Sequence, residues 1–382
     1  MYSIPGGDTI QVLKTAEELN RLGVSAEVFR ACEKIPYDRF DLMHYFNMIR
    51  PSDHLYHIRK SKLPYVISTI FVDYTGFDSA RQNWAHKKVF SLFGQSGSEY
   101  LKNIYRFAKL QDKLVSPEYL LGHQKSLMYV LENAALILPN SASELQRINN
   151  SFGYSGEFQI VPNGIDTKLF EAIPTNVERE NKVLCVAQVY GLKNQFQLIK
   201  ACRELDVPLE MVGDCLPNHN QYYELCLREA GGKVKFTPFM PQDQLVKLYA
   251  GAKVHAMPSW FETTGLSSLE AGAMGCNLVV GIGGDTKDYF KYDAWFCNPD
   301  EKQSLVNALV QALENPNTNK LRESIFSDFT WANAAEKTLT AYKKVLNTGE
   351  KQENLTGVKP VSQAKHQDHA GGKVSDILII IA

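Results

Sequence analysis

Two glutamates stand eight positions apart in Pro258-Ser-Trp-Phe-Glu262-Thr-Thr-Gly-Leu-Ser-Ser-Leu-Glu270-Ala-Gly-Ala-Met-Gly-Cys-Asn-Leu-Val-Val280. A Gly-containing turn and the opening of a helix separate them. An apolar run ending in Pro258 comes before, and the strand-like Leu278-Val-Val-Gly comes after. The pattern predicts a strand, a loop with Glu262, a helix opening near Leu266 that carries Glu270, then another strand. In open α/β sheets ligands sit at the carboxyl ends of strands, where helix N-termini offer N–H groups to anions. Carboxylates do not bind phosphate, but they accept hydrogen bonds well from sugar hydroxyls. An anion on the helix end, with two carboxylates for hydroxyls, is the chemistry of a nucleotide-sugar site.

The elements that must position these residues alternate along the chain. Residues 10–22 read as an amphipathic helix with Gly23 as its C-cap, and Ser25-Ala-Glu-Val-Phe29 follows as a strand. Strand-like runs recur at 40–46, 65–72 and 135–139, with helical stretches at 98–107 and 124–133. After a Pro162-Asn163-Gly164 turn the series restarts with Lys182-Val-Leu-Cys-Val-Ala-Gln188, Leu209-Glu-Met-Val-Gly213, Val234-Lys-Phe and Val254-His-Ala-Met, and helices at 220–230 and 241–250 lie between. Such alternation predicts doubly wound parallel sheets. A long helix at 332–346 follows Phe329-Thr330-Trp331. From 347 onward the chain turns polar, with Gly357, Pro360 and Gly371-Gly372, and reads as a disordered tail. One feature is odd: no strand precedes Gly6-Gly7, so either the start lies upstream or the chain is truncated and a central strand of the first sheet is missing.

Bulk composition narrows the class. At 382 residues the chain can fill two domains, each with its own core. A net charge of −1 gives no reason for nucleic-acid binding. Seven scattered cysteines, none paired at metal-ligand spacing, favour reduced thiols and a cytoplasmic setting. No signal peptide or integral membrane segment is evident, and Ile377-Leu-Ile-Ile-Ile-Ala is far too short to span a bilayer.

With its Pro-Ser, Gly-Leu and Glu-Ala-Gly-Ala-Met-Gly context, the Glu262/Glu270 stretch resembles the E-x7-E element of family 4 retaining glycosyltransferases. Val161-Pro-Asn-Gly-Ile-Asp166 resembles that family's connection between halves, and Phe329-Thr-Trp331 its C-terminal crossing element. The resemblance covers 1–346. It implies the α/β GT-B fold: two Rossmann-like, doubly wound parallel-sheet domains facing a central cleft. An acceptor domain would then span 1–163, a nucleotide-sugar donor domain 164–330, a helix crossing back to the first domain 331–346, and the tail 347–382. The implied activity is that of a retaining, metal-independent hexosyltransferase with no cofactor. Its donor would be a UDP- or GDP-sugar and its acceptor a saccharide or lipid-linked saccharide, in surface polysaccharide or lipopolysaccharide biosynthesis. A lipid-linked acceptor leaves peripheral membrane association open.

The resemblance also assigns roles. Glu262 would accept from donor-sugar hydroxyls and Glu270 from ribose hydroxyls. Negative charge building on the departing diphosphate needs cations or N–H groups, and Lys193 is the candidate cation. The N–H groups of Thr264, Gly265 and Leu266 would face the diphosphate and sugar, and Gly6 and Gly7 would form the donor-and-acceptor loop of the first domain. The chain departs from the family at several points. Gln188 stands where the family has Arg, and Thr264 stands where Phe is frequent. The segment Ile67-Ser-Thr-Ile-Phe-Val-Asp73 lacks the family's His and leaves Asp73 as an acceptor-side candidate. His44 reads as structural, Trp84, Trp260 and Trp295 as packing residues, and Asp288 receives no role. Two rival readings stay open: a nucleotide-sugar epimerase of GT-B fold, and a catalytically degenerate nucleotide-sugar binder.

Overall fold

The computed structural model describes residues 6–72, 122–171, 178–216, 219–356 and 376–381. Asp73, Trp84 and the predicted helix at 98–107 lie outside the described residues. Of the described residues, those in 6–71, 122–162, 331–356 and 376–381 form one unit, and Val72 with those between 163 and 330 forms the other. In chain order the strands of the first half are β1 (Ser25–Arg30), β2 (Leu42–Phe46), β3 (Tyr65–Ser68) and β4 (Leu136–Leu138). Then come β5 (Glu180–Val186), β6 (Leu209–Val212), β7 (Val234–Thr237), β8 (Ala252–Met257), β9 (Asn277–Gly281) and β10 (Trp295–Cys297). Last is β11 (Asp376–Ile381).

The second unit carries a parallel sheet ordered β10-β9-β8-β5-β6-β7. Its inner strands β6, β8 and β9 are buried along most of their length, as strands covered on both faces are, whereas the edge strand β7 leaves Lys235 exposed. On β5 the pleat sends Val183 and Cys185 to one side, among the helices Gln195–Glu204 and Lys302–Glu314. Leu184 points to the other side, among Gln242–Gly251, Leu266–Ala273 and Lys320–Asp328.

The first unit carries a parallel sheet ordered β1-β11-β2-β3-β4. Met43, Tyr45 and Ile67 face the helices Pro51–Ser61 and His123–Glu132. His44, between Met43 and Tyr45, must face the opposite side. There its Nδ1 meets the Tyr342 hydroxyl at 2.7 Å and its Nε2 the Ser68 hydroxyl at 2.9 Å. Burial drives the His44 pKa down to about 3, so the ring is neutral and structural. Through Tyr342 it pins the helix Trp331–Thr356 to the sheet.

Residues 347–382 do not behave as a wholly disordered tail. The helix runs on to Thr356, ten residues past its expected end at 346, and Asp376–Ile381 forms β11 inside the first sheet. The place of the strand expected to be missing is therefore filled. The polar average of the tail hid a local fact: six residues rich in Ile make a parallel strand of ordinary length, with Ile377 buried. Among the described residues no helix is long and apolar enough to cross a membrane.

Candidate functional site

The Glu262 loop leaves the carboxyl end of β8 and enters the helix Leu266–Ala273 through Gly265. Gly265 holds φ 72° and ψ 61°, a left-handed conformation that favours glycine. No side chain caps this helix. The Gly265 carbonyl accepts from the N–H of Ser268 at 2.8 Å and of Leu269 at 3.0 Å. Leu266 and Ser267 hold the first-turn N–H groups that a helix leaves for an outside acceptor.

A second glycine run braces the loop from behind. A Cβ on Gly281 would stand 2.0 Å from the Ser259 carbonyl oxygen, one on Gly283 2.0 Å from that of Trp260, and one on Gly284 2.1 Å from that of Glu262. Only glycine allows this approach of two backbones. Glu262 N–H donates to the Gly283 carbonyl at 3.3 Å, and Asp285 N–H donates back to the Glu262 carbonyl at 2.8 Å. Trp260 N–H donates to the Leu192 carbonyl at 2.9 Å, which ties the loop to the turn following β5.

That turn brings Lys193 to Glu262. Lys193 ends a short 3-10 segment, Gly191–Lys193, and its Nζ lies 2.5 Å from Glu262 Oε1. The two side chains are only 18% and 11% exposed, so water screens this pair less than a surface ion pair. Gln188 is half-buried. Its carbonyl accepts from Gln195 Nε2 at 2.8 Å, and its own side chain adds no charge to the site.

Glu270 has different company. It is buried, its Oε2 accepts from the Tyr249 hydroxyl at 2.9 Å, and its Oε1 accepts from Gln242 Nε2. Burial pushes the Glu270 carboxyl up to about 7, and the two hydrogen bonds only partly oppose that. Near neutrality the group is poised between acid and carboxylate. The Thr264 side chain also turns inward: it accepts from Asn163 Nδ2 at 3.0 Å and donates to the Tyr289 hydroxyl at 3.2 Å. Asn163 N–H donates to the same Tyr289 hydroxyl at 3.1 Å. Thr264 thus anchors the loop with its hydroxyl.

The remaining candidates lie elsewhere. Gly6 and Gly7 belong to the first unit, where they open the helix α1 (Gly7–Arg21). A Cβ on Gly6 would stand 2.8 Å from Asp8 Oδ1, which accepts from Thr9 N–H at 2.8 Å. Asp288 lies in the short helix Thr286–Phe290, and Trp295 opens β10. Among the described residues no group of three or more His, Cys, Asp or Glu could hold a metal ion. Tyr249, Gln242, Asn163, Tyr289 and the glycines at 281, 283 and 284 were not anticipated as parts of this site. A Gly-Ile-Gly-Gly run after an apolar strand does signal close backbone approach. Gln242 and Tyr249, seven apart, share a helix face, but nothing local names Glu270 as their partner.

Comparison with known proteins gives the site a context. Residues 166–325 match the family described as Glycosyl transferases group 1. The MMP alpha-(1->4)-mannosyltransferase of Mycolicibacterium hassiacum is 27% identical over 226 residues, 55% of this chain and 54% of that protein. The aligned part thus spans about half the length of that relative. The D-inositol 3-phosphate glycosyltransferase of Corynebacterium aurimucosum is 25% identical over 393 residues, 90% of this chain and 92% of that protein. The sucrose-phosphate synthase of Thermosynechococcus elongatus superposes with a TM-score of 0.66 at 16% identity, covering 90% of this chain and 94% of that one. The likeness to this structure is one of fold, two parallel α/β units of the GT-B kind.

Proposed function

We propose, from the premise that the second unit is a group 1 glycosyl transferase domain, that the chain is a retaining glycosyltransferase using a nucleoside-diphosphate sugar. The acceptor is a saccharide or lipid-linked saccharide hydroxyl, and the setting is surface polysaccharide assembly. The observation that carries the reading is the Lys193–Glu262 pair beside the uncapped helix Leu266–Ala273. Here a cation, an anion-seeking helix end and a hydroxyl-accepting carboxylate meet at the carboxyl ends of β5 and β8.

Each residue then has a defined task. The diphosphate seats on the first-turn N–H groups and draws the Lys193 ammonium. Glu262, released from Lys193, accepts from hydroxyls of the donor sugar. As the sugar–phosphate bond breaks, charge grows on the leaving diphosphate, and Lys193 and the N–H groups stabilise it. Glu270 accepts from the ribose hydroxyls, a task that needs its carboxylate form. Donor affinity should therefore rise between pH 6 and pH 8 as Glu270 ionises. No nucleophile on the enzyme is invoked, and the leaving phosphate takes the acceptor proton.

The test is a thermal-shift panel of UDP, GDP, ADP, CMP and TDP, with and without magnesium, followed by turnover with the sugar nucleotide of the base that binds. A ligand at ~100 times its Kd adds about 2.7 kcal/mol to native stability. One ribonucleoside diphosphate is expected to stabilise the protein independently of magnesium. Lys193→Ala and Glu262→Ala should keep the fold and lose turnover by at least about 100-fold. Full turnover in both variants would sink the assignment. The neutral Gln188 favours one second reading, sugar-nucleotide binding without transfer, and that reading predicts a shift with no turnover against any acceptor tried.

A further inference from the structure

We infer that the gap between β1 and β2 is a strand-binding site whose occupant is Asp376–Ile381 of the same chain. This segment serves as the leading strand of the first unit's strand–helix–strand motif, although it follows α1 by more than 350 residues in sequence. β11 pairs in parallel with β1 across all six of its residues, from Ser25↔Asp376 to Arg30↔Ile381. On its other side it pairs in parallel with β2, from Ile377↔Leu42 to Ile380↔Tyr45. β1 and β2 do not pair with each other. An empty slot would leave two facing rows of backbone N–H and C=O groups unpaired in the middle of a buried sheet, a cost no folded core tolerates well. The run Asp-Ile-Leu-Ile-Ile-Ile has the composition of a strand covered on both faces, and Ile377 is fully buried.

α1 shows what place this strand takes in the sheet. The helix packs on β1, on β11 and on the helix Trp331–Thr356. Its 15 residues span about 22 Å and a six-residue strand about 20 Å, so α1 runs the height of the sheet. It feeds β1 through the Gly23 turn, so it runs antiparallel to β1 and its Gly7 end lies at the carboxyl edge of the strands. β11 ends at that same edge with Ile381. β11, α1 and β1 thus form a parallel crossover unit whose first strand and helix come from opposite parts of the sequence. Residues 357–375 separate Thr356 from β11 in sequence, and a chain of that length can span at most roughly 60 Å. The Gly6–Gly7 turn stands at the edge where ligands gather in such sheets, and its footing is β11.

Hydrogen exchange on the full-length chain tests this, together with two variants. In the parent, the amides of 377–380 should exchange as slowly as those of Met43–Tyr45, because both belong to the sheet interior. Ile377→Asp puts a charge into a dry position. It should cut protection of β1 and β2 by at least about 100-fold while β5 and β8 keep theirs. The second variant keeps Ile377→Asp and adds the sequence Asp-Ile-Leu-Ile-Ile-Ile, with a short flexible linker, ahead of Met1. It should recover the parent's protection in β1 and β2, even where Ile377→Asp alone fails to fold. Fast exchange at 377–380 in the parent, unchanged β1 and β2 in Ile377→Asp, or no recovery in the second variant would each overturn the inference. So would a dimer in which mixed isotope-labelled copies exchange this strand, since the occupant would then belong to another chain.

Discussion

Glu144 in the first unit and Glu270 in the second are both buried carboxylates. Each sits on a helix that follows a parallel strand, Ala142–Phe152 after β4 and Leu266–Ala273 after β8. Their partners differ. Glu144 accepts from the Thr69 hydroxyl at 2.5 Å, from Phe71 N–H at 2.7 Å and from Asn140 N–H at 2.7 Å. Two of those donors are backbone groups of the segments after β3 and β4, so the carboxylate stitches the sheet's carboxyl edge together. Glu270 accepts from two side chains, and burial prevails over both, holding its carboxyl near 7. A buried carboxylate with enough donors is architecture. One with too few keeps a raised pKa, and under the function proposed above the ribose hydroxyls of the donor would supply the missing donors.

The largest effect is expected from breaking the first case. Glu144→Ala leaves two N–H groups and a hydroxyl without their acceptor, and it should cost about 3–5 kcal/mol in urea denaturation. A loss below about 1 kcal/mol would mean that these groups find other partners and that the contrast fails.

Glu270→Gln comes next, and here pH matters more than the size of the loss. The folded carboxyl titrates near 7, above the usual carboxylate range. Its contribution to stability is fully present below about pH 4.5 and is lost as pH rises through 7. The parent should therefore lose on the order of 3 kcal/mol between pH 5 and pH 8 on this account. The Gln variant should lack that slope and should also lose the nucleotide-induced shift. Parallel pH profiles for the two proteins would remove Glu270 as the titrating group.

The smallest effect sharpens the same point. Tyr249→Phe takes one of two donors from Glu270 and should cost about 1–2 kcal/mol, more above pH 7 than below it. It should also push the Glu270 titration, followed by carboxyl NMR or infrared, to higher pH. A downward move would mean that burial is not what holds the proton.

Local pattern determined a good deal of this protein by itself. Apolar strands alternating with amphipathic helices specify parallel α/β sheets, because a strand buried on both faces can be read from consecutive residues. The Glu262 loop and the Gly265 turn were legible for the same reason, since loop, glycine and helix start are neighbours in the chain. Only the tertiary structure decided the rest. Lys193 meets Glu262 because β5 and β8 are adjacent in the sheet, across 69 residues of sequence. Glu270 titrates near 7 because the fold buries it, while Tyr249 and Gln242, on another helix, supply two donors that only partly oppose that. β11 fills the middle of the first sheet because two unpaired strands leave a slot that an Ile-rich segment fits. Pairing between distant segments depends on which backbone edges remain open after folding, and that information is not stored in the run of residues around either partner.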